Sequence, residues 1–229
     1  MLLSEIRSRV LACRRCPGLN GPGTSAAALF GRSRARYLFV GQSLHGDLAD
    51  SIYAQIPFLC KSGRPMSNAF EELGWPPIGS DRQFRSAIST RNPGKTRLRP
   101  PKGTPWALTN ILHCHPPNNR PSKPEEINNC SRFLSAEICA LRRLRAVITL
   151  GADARRNFAA KYANGASPKR GKIIQVHIPY EDANGNQEKS LWFAAVMHPA
   201  AAMRMGGDAV SHWQSSLVKL LQKLEAICQ

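Results

Sequence analysis

Short apolar runs alternate with amphipathic helical stretches along this chain, and that alternation constrains the fold more than any other feature. Residues 36–40, 106–112 and 145–150 are brief runs rich in aliphatic and aromatic side chains, each read as a buried strand, two of them stopping at Gly41 and Gly151. Between and around them, apolar residues recur at helical spacing. Residues 2–12 carry Leu3, Ile6, Val10 and Leu11; the stretch after Pro124 carries Ile127, Cys130, Leu134, Ile138 and Leu141. Residues 152–162 and 211–227 also read as helices, and 172–180 with 191–197 as two strands joined through a turn at Asn184-Gly185. Ser122-Lys123-Pro124-Glu125 has the pattern of a capping box with proline near the helix start. Strands alternating with helices predict an α/β fold: three layers, α/β/α, around a short, mostly parallel central sheet. Ligands in such sheets sit at the carboxyl edge of the strands. The loops at Gly41-Gln42-Ser43, from Asn110 onward and at His198-Pro199 are therefore expected to meet at one crevice.

With 229 residues, 42% of them apolar, the chain can bury one sizeable core. A single domain over 1–229 is expected, with residues 76–105, rich in Pro, Gly, Arg and Lys, as a basic surface insertion. Thirty-two Lys and Arg against 15 Asp and Glu leave a net charge of +17. An excess of that size favours a polyanionic partner, nucleic acid rather than a membrane surface. No run is long enough to span a bilayer, and no leading apolar stretch carries a cleavage site. A cytoplasmic, reducing compartment, a monomer and association with the nucleoid when on DNA are the corresponding expectations.

Cysteine placement narrows the chemistry. Cys13 and Cys16 form a C-x-x-C pair, Cys114 lies where an apolar run breaks into Pro116-Pro117, and Cys130 follows after fifteen intervening residues on the inward face of a predicted helix. Four thiolates in two groups suit either an iron–sulfur cluster or a structural zinc. A disulfide is the weaker alternative in a reducing compartment. Cys60, Cys139 and Cys228 are left as free thiols.

Taken in order, these residues resemble the uracil-DNA glycosylase superfamily, most closely its iron–sulfur branch, family 4. The resemblance runs from Cys13 to about Arg204. It rests on the C-x-x-C pair, a strand ending in Gly41, Gly63-Arg64-Pro65, and Leu108-Thr109-Asn110 with Cys114, Pro116, Pro117, Asn119 and Arg120. Pro124-Glu125-Glu126-Ile127 leading to Cys130, Val147-Ile148-Thr149-Leu150-Gly151, and His198-Pro199-Ala200-Ala201 complete it. The resemblance implies a 4Fe–4S cluster, rather than zinc, on Cys13, Cys16, Cys114 and Cys130. It implies base excision repair: uracil flipped out of DNA, its N-glycosidic bond hydrolysed, and an abasic site left behind. Asn110 matches the family's base-reading asparagine and His198 the motif histidine that donates to uracil O2. Of the residues just after His198, Met203 is expected to fill the vacated stack, since Ala202 is too short, with Arg204 on a phosphate and Arg120 also on the DNA side.

Two departures from the family's pattern shape the remaining expectations. The first motif reads Gly41-Gln42-Ser43-Leu44-His45-Gly46-Asp47, without the family's acid and proline in their places. Asp47, then Asp50, is the candidate to activate water; Gln42 and Ser43 are expected to help hold the base, and His45 has no assigned role. Met66 stands where the family places the aromatic that stacks on uracil; Phe58, Tyr53 or Phe70 are the alternative rings. No lysine is placed as a nucleophile (Lys61 is the closest in sequence), so the enzyme is expected to be monofunctional. The competing readings are a non-catalytic or single-turnover binder of uracil or abasic DNA on the same scaffold and, more remotely, a zinc-stabilised nucleic-acid-binding protein outside repair.

Overall fold

The structure is a computed structural model and describes residues 2–19, 27–44, 56–58, 61–79, 100–169, 171–182 and 185–228. Its centre is a six-stranded sheet: β1 (Phe30–Gly31), β2 (Tyr37–Ser43), β3 (Trp106–Leu112), β4 (Ala146–Leu150), β5 (Ile173–Asp182) and β6 (Gly185–Val196), in the order β1-β3-β2-β4-β6-β5. The four inner strands are parallel, and β1 and β5 are antiparallel edges. Every residue of β3 and of β4 is buried, as expected of parallel strands covered on both faces. β5 and β6 pair antiparallel with Asp182 opposite Gly185, which opens β6; Asn184 of the expected turn lies outside the described residues.

Six helices complete the described chain: α1 (Leu3–Leu11), α2 (Gly63–Glu72), α3 (Pro124–Ala140), α4 (Ala152–Tyr162), α5 (Pro199–Met205) and α6 (Ala209–Ile227). One face of the sheet packs Tyr37, Phe39, Trp106, Leu108 and Ile148 against Met66 and Phe70 of α2 and Leu217 and Leu221 of α6. The other packs Leu38, Val40, Ala107 and Val147 against Leu134 and Ile138 of α3 and Phe158 of α4. Burying each such side chain stabilises the fold by about 1.5–3 kcal/mol. A smaller core under α1 joins Ile6, Val10 and Leu19 to Leu112, Cys130 and Phe133. The expected three layers are thus present.

Several local expectations need correction. β2 does not stop at Gly41; its ladder with β3 continues through Gly41–Asn110 to Ser43–Leu112. The helix cap lies one residue further on than the Ser122–Glu125 spacing indicated. Lys123 is the N-cap, Pro124 opens the helix, and the Glu126 carboxylate accepts the Lys123 backbone N–H at 2.8 Å. Ser122 Oγ has no hydrogen-bond partner among the described residues. Helices α2 and α5 and the short β1 were not foreseen. α2 carries Gly63 and Pro65 in its first turn, where proline is tolerated; α5 is short and opens on Pro199.

Most of the basic insertion, residues 80–99, lies outside the described residues. Its flanks are tied to the body: Trp106 Nε1 donates to the Pro76 carbonyl at 2.7 Å, and the Arg32 guanidinium to those of Pro100 and Pro101. Cys60 is also outside; none of the six described cysteines is in a disulfide. Among the described residues no helix is long and apolar enough to cross a membrane.

Ile148 is fully buried at the middle of the sheet. Ile148→Ala should destabilise the fold by about 2–5 kcal/mol, read as a lower urea midpoint.

Candidate functional site

Side-chain alternation along β2 and β3 decides which residues share a crevice. Tyr37 and Phe39 face α2 and α6, so Gly41 and Ser43 follow on that face, while Gln42 falls on the face of α3 and α4. On β3, Trp106 and Leu108 put Asn110 on the α2 face, and Thr109 turns the other way to Glu137. Gly41 and Asn110 are also partners across the ladder. A Cβ on Gly41 would overlap Asn110 Oδ1 and lie 2.6 Å from Phe58 Cζ. Only glycine lets the amide and the ring close over the strand.

Phe58 is held there by its backbone. Its φ of 62° is left-handed, costly for a bulky side chain by roughly 1–3 kcal/mol. Its carbonyl lies so close to Gly63 that a Cβ there would collide with it. The Phe58 ring centroid is 6.0 Å from that of His198, with the planes inclined at 36°. His198 follows β6 as the N-cap of α5, packed against Gly151 at the end of β4. Its Nδ1 accepts the Ala200 N–H at 3.2 Å, which fixes the ring as the tautomer with its proton on Nε2. Asn110 is 2% exposed, and its Nδ2 has no hydrogen-bond partner among the described residues. An unmade buried donor costs about 1–3 kcal/mol, a cost that a ligand acceptor removes. The crevice thus combines an unpaired amide donor, an aromatic ring and an imidazole N–H.

The cysteines form a second centre. Cys13 and Cys16 follow α1, Cys114 follows β3, and Cys130 lies on α3; all four line one narrow cavity with Val10, Leu112, His113, Asn129 and Phe133. Burial pushes the Cys114 thiol up to about 12, and the neighbouring Cys130, Cys13 and Cys16 sulfurs add to the rise. Burial likewise raises Cys16, against a hydrogen bond from Asn129. Sulfurs gathered so that they oppose ionisation of Cys114 and Cys16 suit a cationic centre, which would favour their thiolates. Among the described residues, no group of three or more His, Cys, Asp or Glu side chains is drawn together as for one bound metal ion. Behind Cys130, His113 is completely buried. Burial works against its charged form, but the Glu137 carboxylate, then the Cys130 sulfur, outweigh it and hold the imidazole up at about 10.

The family model of the uracil DNA glycosylase superfamily matches residues 29–225. The chain belongs to that superfamily. It is 23% identical over 209 residues to the type-4 uracil-DNA glycosylase of Archaeoglobus fulgidus, covering 88% of this chain and 83% of that protein. It is 24% identical over 204 residues to the type-4 uracil-DNA glycosylase of Sulfurisphaera tokodaii, covering 88% and 76%.

Within this superfamily member, several expected site residues fall elsewhere. Met66 is fully buried in the core beside Ala69 and Phe70, and Phe58 is the ring that lies beside Gly41 and Asn110. The helical period decides this, because Met66, Ala69 and Phe70 share the inward face of α2. Phe70 is core as well. The Gln42 side chain points away from the crevice and its Oε1 accepts from Asn157 Nδ2 of α4 at 3.1 Å. Ser43 is half-buried on the crevice face. Asp47, Asp50, His45 and Tyr53 lie outside the described residues. On α5, Ala202 is buried, whereas Met203 and Met205 are 38% and 70% exposed, with Arg204 between them. Met205 was missed because only the next few positions after the histidine were weighed.

Arg120 is not a free phosphate ligand. Its guanidinium pairs through both terminal nitrogens with the Glu126 carboxylate at the start of α3 and also donates to the Pro121 carbonyl. The hydrogen bonds from Arg120 hold Glu126 below the usual carboxylate range. That contribution to stability is full at neutral pH and is lost as pH falls through the depressed value. Glu126→Gln should be less stable than wild type at pH 7, and the difference should shrink on acidification, measured by urea unfolding at a series of pH values.

Proposed function

We propose that the chain acts as one unit, a monofunctional DNA glycosylase that extrudes uracil from DNA and cleaves its N-glycosidic bond, leaving an abasic site. The observation that carries this reading is the buried Nδ2 of Asn110, without a hydrogen-bond partner among the described residues, opposite Gly41 and next to the Phe58 ring, which in turn faces His198. Uracil offers O4 as an acceptor and N3–H as a donor, which match Nδ2 and Oδ1 of one amide; cytosine presents the reverse. A bidentate contact of this kind discriminates by roughly 1–3 kcal/mol. Phe58 supplies the face on which the flipped base stacks. As the bond from N1 to the sugar breaks, negative charge gathers on the departing base and positive charge on the sugar. The His198 Nε2–H stabilises the former at uracil O2, and water adds to the sugar carbon while the base takes up a proton. We assign activation of that water to Asp47, shortly beyond β2 in sequence.

Met203 and Met205 are apolar side chains exposed on the helix that His198 opens, suited to fill the space the base leaves. Arg204 between them, with Arg14 and Arg15, suits phosphate contact, in keeping with the net charge of +17. Cys13, Cys16, Cys114 and Cys130, which line one cavity, would hold a 4Fe–4S cluster. When bound, the cluster supplies a cationic cross-link between α1, the end of β3 and α3.

End-labelled DNA with one uracil, incubated with the protein and treated with hot alkali, should be cut at that position. Asn110→Ala and His198→Ala should each slow cutting roughly 10²–10³-fold. Tight binding to uracil DNA with no product, even at excess protein, would instead establish a non-catalytic binder. In the same assay Phe58→Ala should lose roughly 10- to 100-fold, as base stacking is worth about 1–3 kcal/mol. Phe58→Tyr should retain most activity, and Met66→Leu should be unchanged.

A further inference from the structure

A buried hydrogen-bonded chain lies behind the cysteine centre, on the opposite face of β3 from Asn110. The Cys130 sulfur meets one residue twice: it accepts the His113 backbone N–H at 3.2 Å and lies 3.1 Å from His113 Nδ1. The other ring nitrogen, Nε2, lies 3.0 Å from Glu137 Oε1. Glu137 is itself anchored by the Leu29 backbone N–H at 2.9 Å and the Thr109 hydroxyl at 2.6 Å. The edge of the His113 ring also packs on Phe133, centroids 5.8 Å apart. His113, Glu137 and Thr109 are all at most 1% exposed.

Stability alone is a poor account of this arrangement. Two ionisable groups held away from water incur a desolvation cost of several kcal/mol each, and well-packed apolar residues often serve stability as well or better. The other sulfurs are held differently. Cys16 meets Asn129 Nδ2 at 3.6 Å, and Cys13 meets the exposed Arg132 guanidinium at 3.8 Å. Cys130 combines short contacts with an imidazole whose orientation is fixed from behind. Hydrogen-bonded partners of this kind orient metal ligands, and their loss typically weakens metal binding by about 10- to 100-fold.

We propose that His113, oriented by Glu137, is a positioning residue for the four-cysteine centre: it fixes the Cys130 sulfur as a ligand and thereby sets how tightly the metal is held. The proposal rests on reading those cysteines as a metal centre, and the test separates the two. Metal and acid-labile sulfide are first measured on the purified full-length wild-type protein. A protein without bound metal overturns the metal-centre reading, and this proposal with it, before any variant is made.

With metal present, its release to a chelator is timed under native conditions for four proteins. His113→Gln keeps an amide where Nε2 reaches Glu137 but loses the side-chain contact with Cys130; release should quicken roughly 10- to 100-fold. His113→Asn places an amide where Nδ1 reaches Cys130 and should stay within a few-fold of wild type. Ile148→Ala weakens the fold without touching the centre and should release metal at the wild-type rate. Wild-type release from His113→Gln overturns the proposal, as does equally fast release from both amide variants or from Ile148→Ala, which assigns the effect to packing. Should the glutamine variant not fold, Glu137→Gln, which loosens the imidazole from behind, is read in its place. It should quicken release, and an unchanged rate overturns the proposal.

Discussion

The Glu137 carboxylate is the constraint around which this protein is arranged. It sits on α3, fully buried, where an unsatisfied charge would be prohibitively costly. Three donors satisfy it, from three parts of the chain: the Leu29 backbone N–H just before β1, the Thr109 hydroxyl on β3, and the His113 ring after β3. Together they lock β3 onto α3 in one register. Side chains on a strand alternate strictly, so directing Thr109 to Glu137 sends Asn110 to the opposite face. The same carboxylate that meets the His113 ring thereby fixes the side on which the Asn110 amide emerges.

On that opposite face the limiting factor is space. Gly41, Gly63 and Gly151 each stand where another group has to come close: the Asn110 amide and Phe58 ring, the Phe58 carbonyl, and the His198 side chain. Phe58 bears a left-handed backbone to put its ring between Gly41 and His198. Such strain persists only where the surroundings over-determine it, and sites of function are where it gathers. His198 gains its tautomer from a local event, the start of α5, whose second residue donates to Nδ1. The crevice is thus prepared without ligand, its donor and ring already set.

Much of this was legible in the chain. The four inner strands, the hairpin and helices α1, α3, α4 and α6 follow from periodicity, because buried parallel strands and amphipathic helices write their burial into local sequence. The cysteines could be grouped by spacing, and Asn110 and His198 by the motifs around them. Less legible were the places where local signals conflict with tertiary demands. Gly63 and Pro65 look like the end of structure and in fact begin α2. Arg120 looks like a phosphate ligand and is occupied by Glu126. The acid of the helix cap is Glu126 rather than Glu125, a one-residue difference that only the path of the chain from Pro121 decides.

The ring beside Asn110 shows the division most clearly. The family resemblance put Met66 at the stacking position, and the helical period of α2 takes it inward beside Phe70, while Phe58 reaches Gly41 and Asn110 from the preceding segment. The sequence by itself determined the layers, the superfamily pattern and the chemical inventory: four thiols, an amide, an imidazole and a large positive charge. Those depend on local periodicity and on residue types, which one-dimensional order records. Only the tertiary structure decided which side of each strand the inventory faces, which ring lies beside Asn110 and which imidazole stands behind Cys130. Those outcomes depend on register, on where glycine permits close approach and on how buried charge finds partners far apart in the chain.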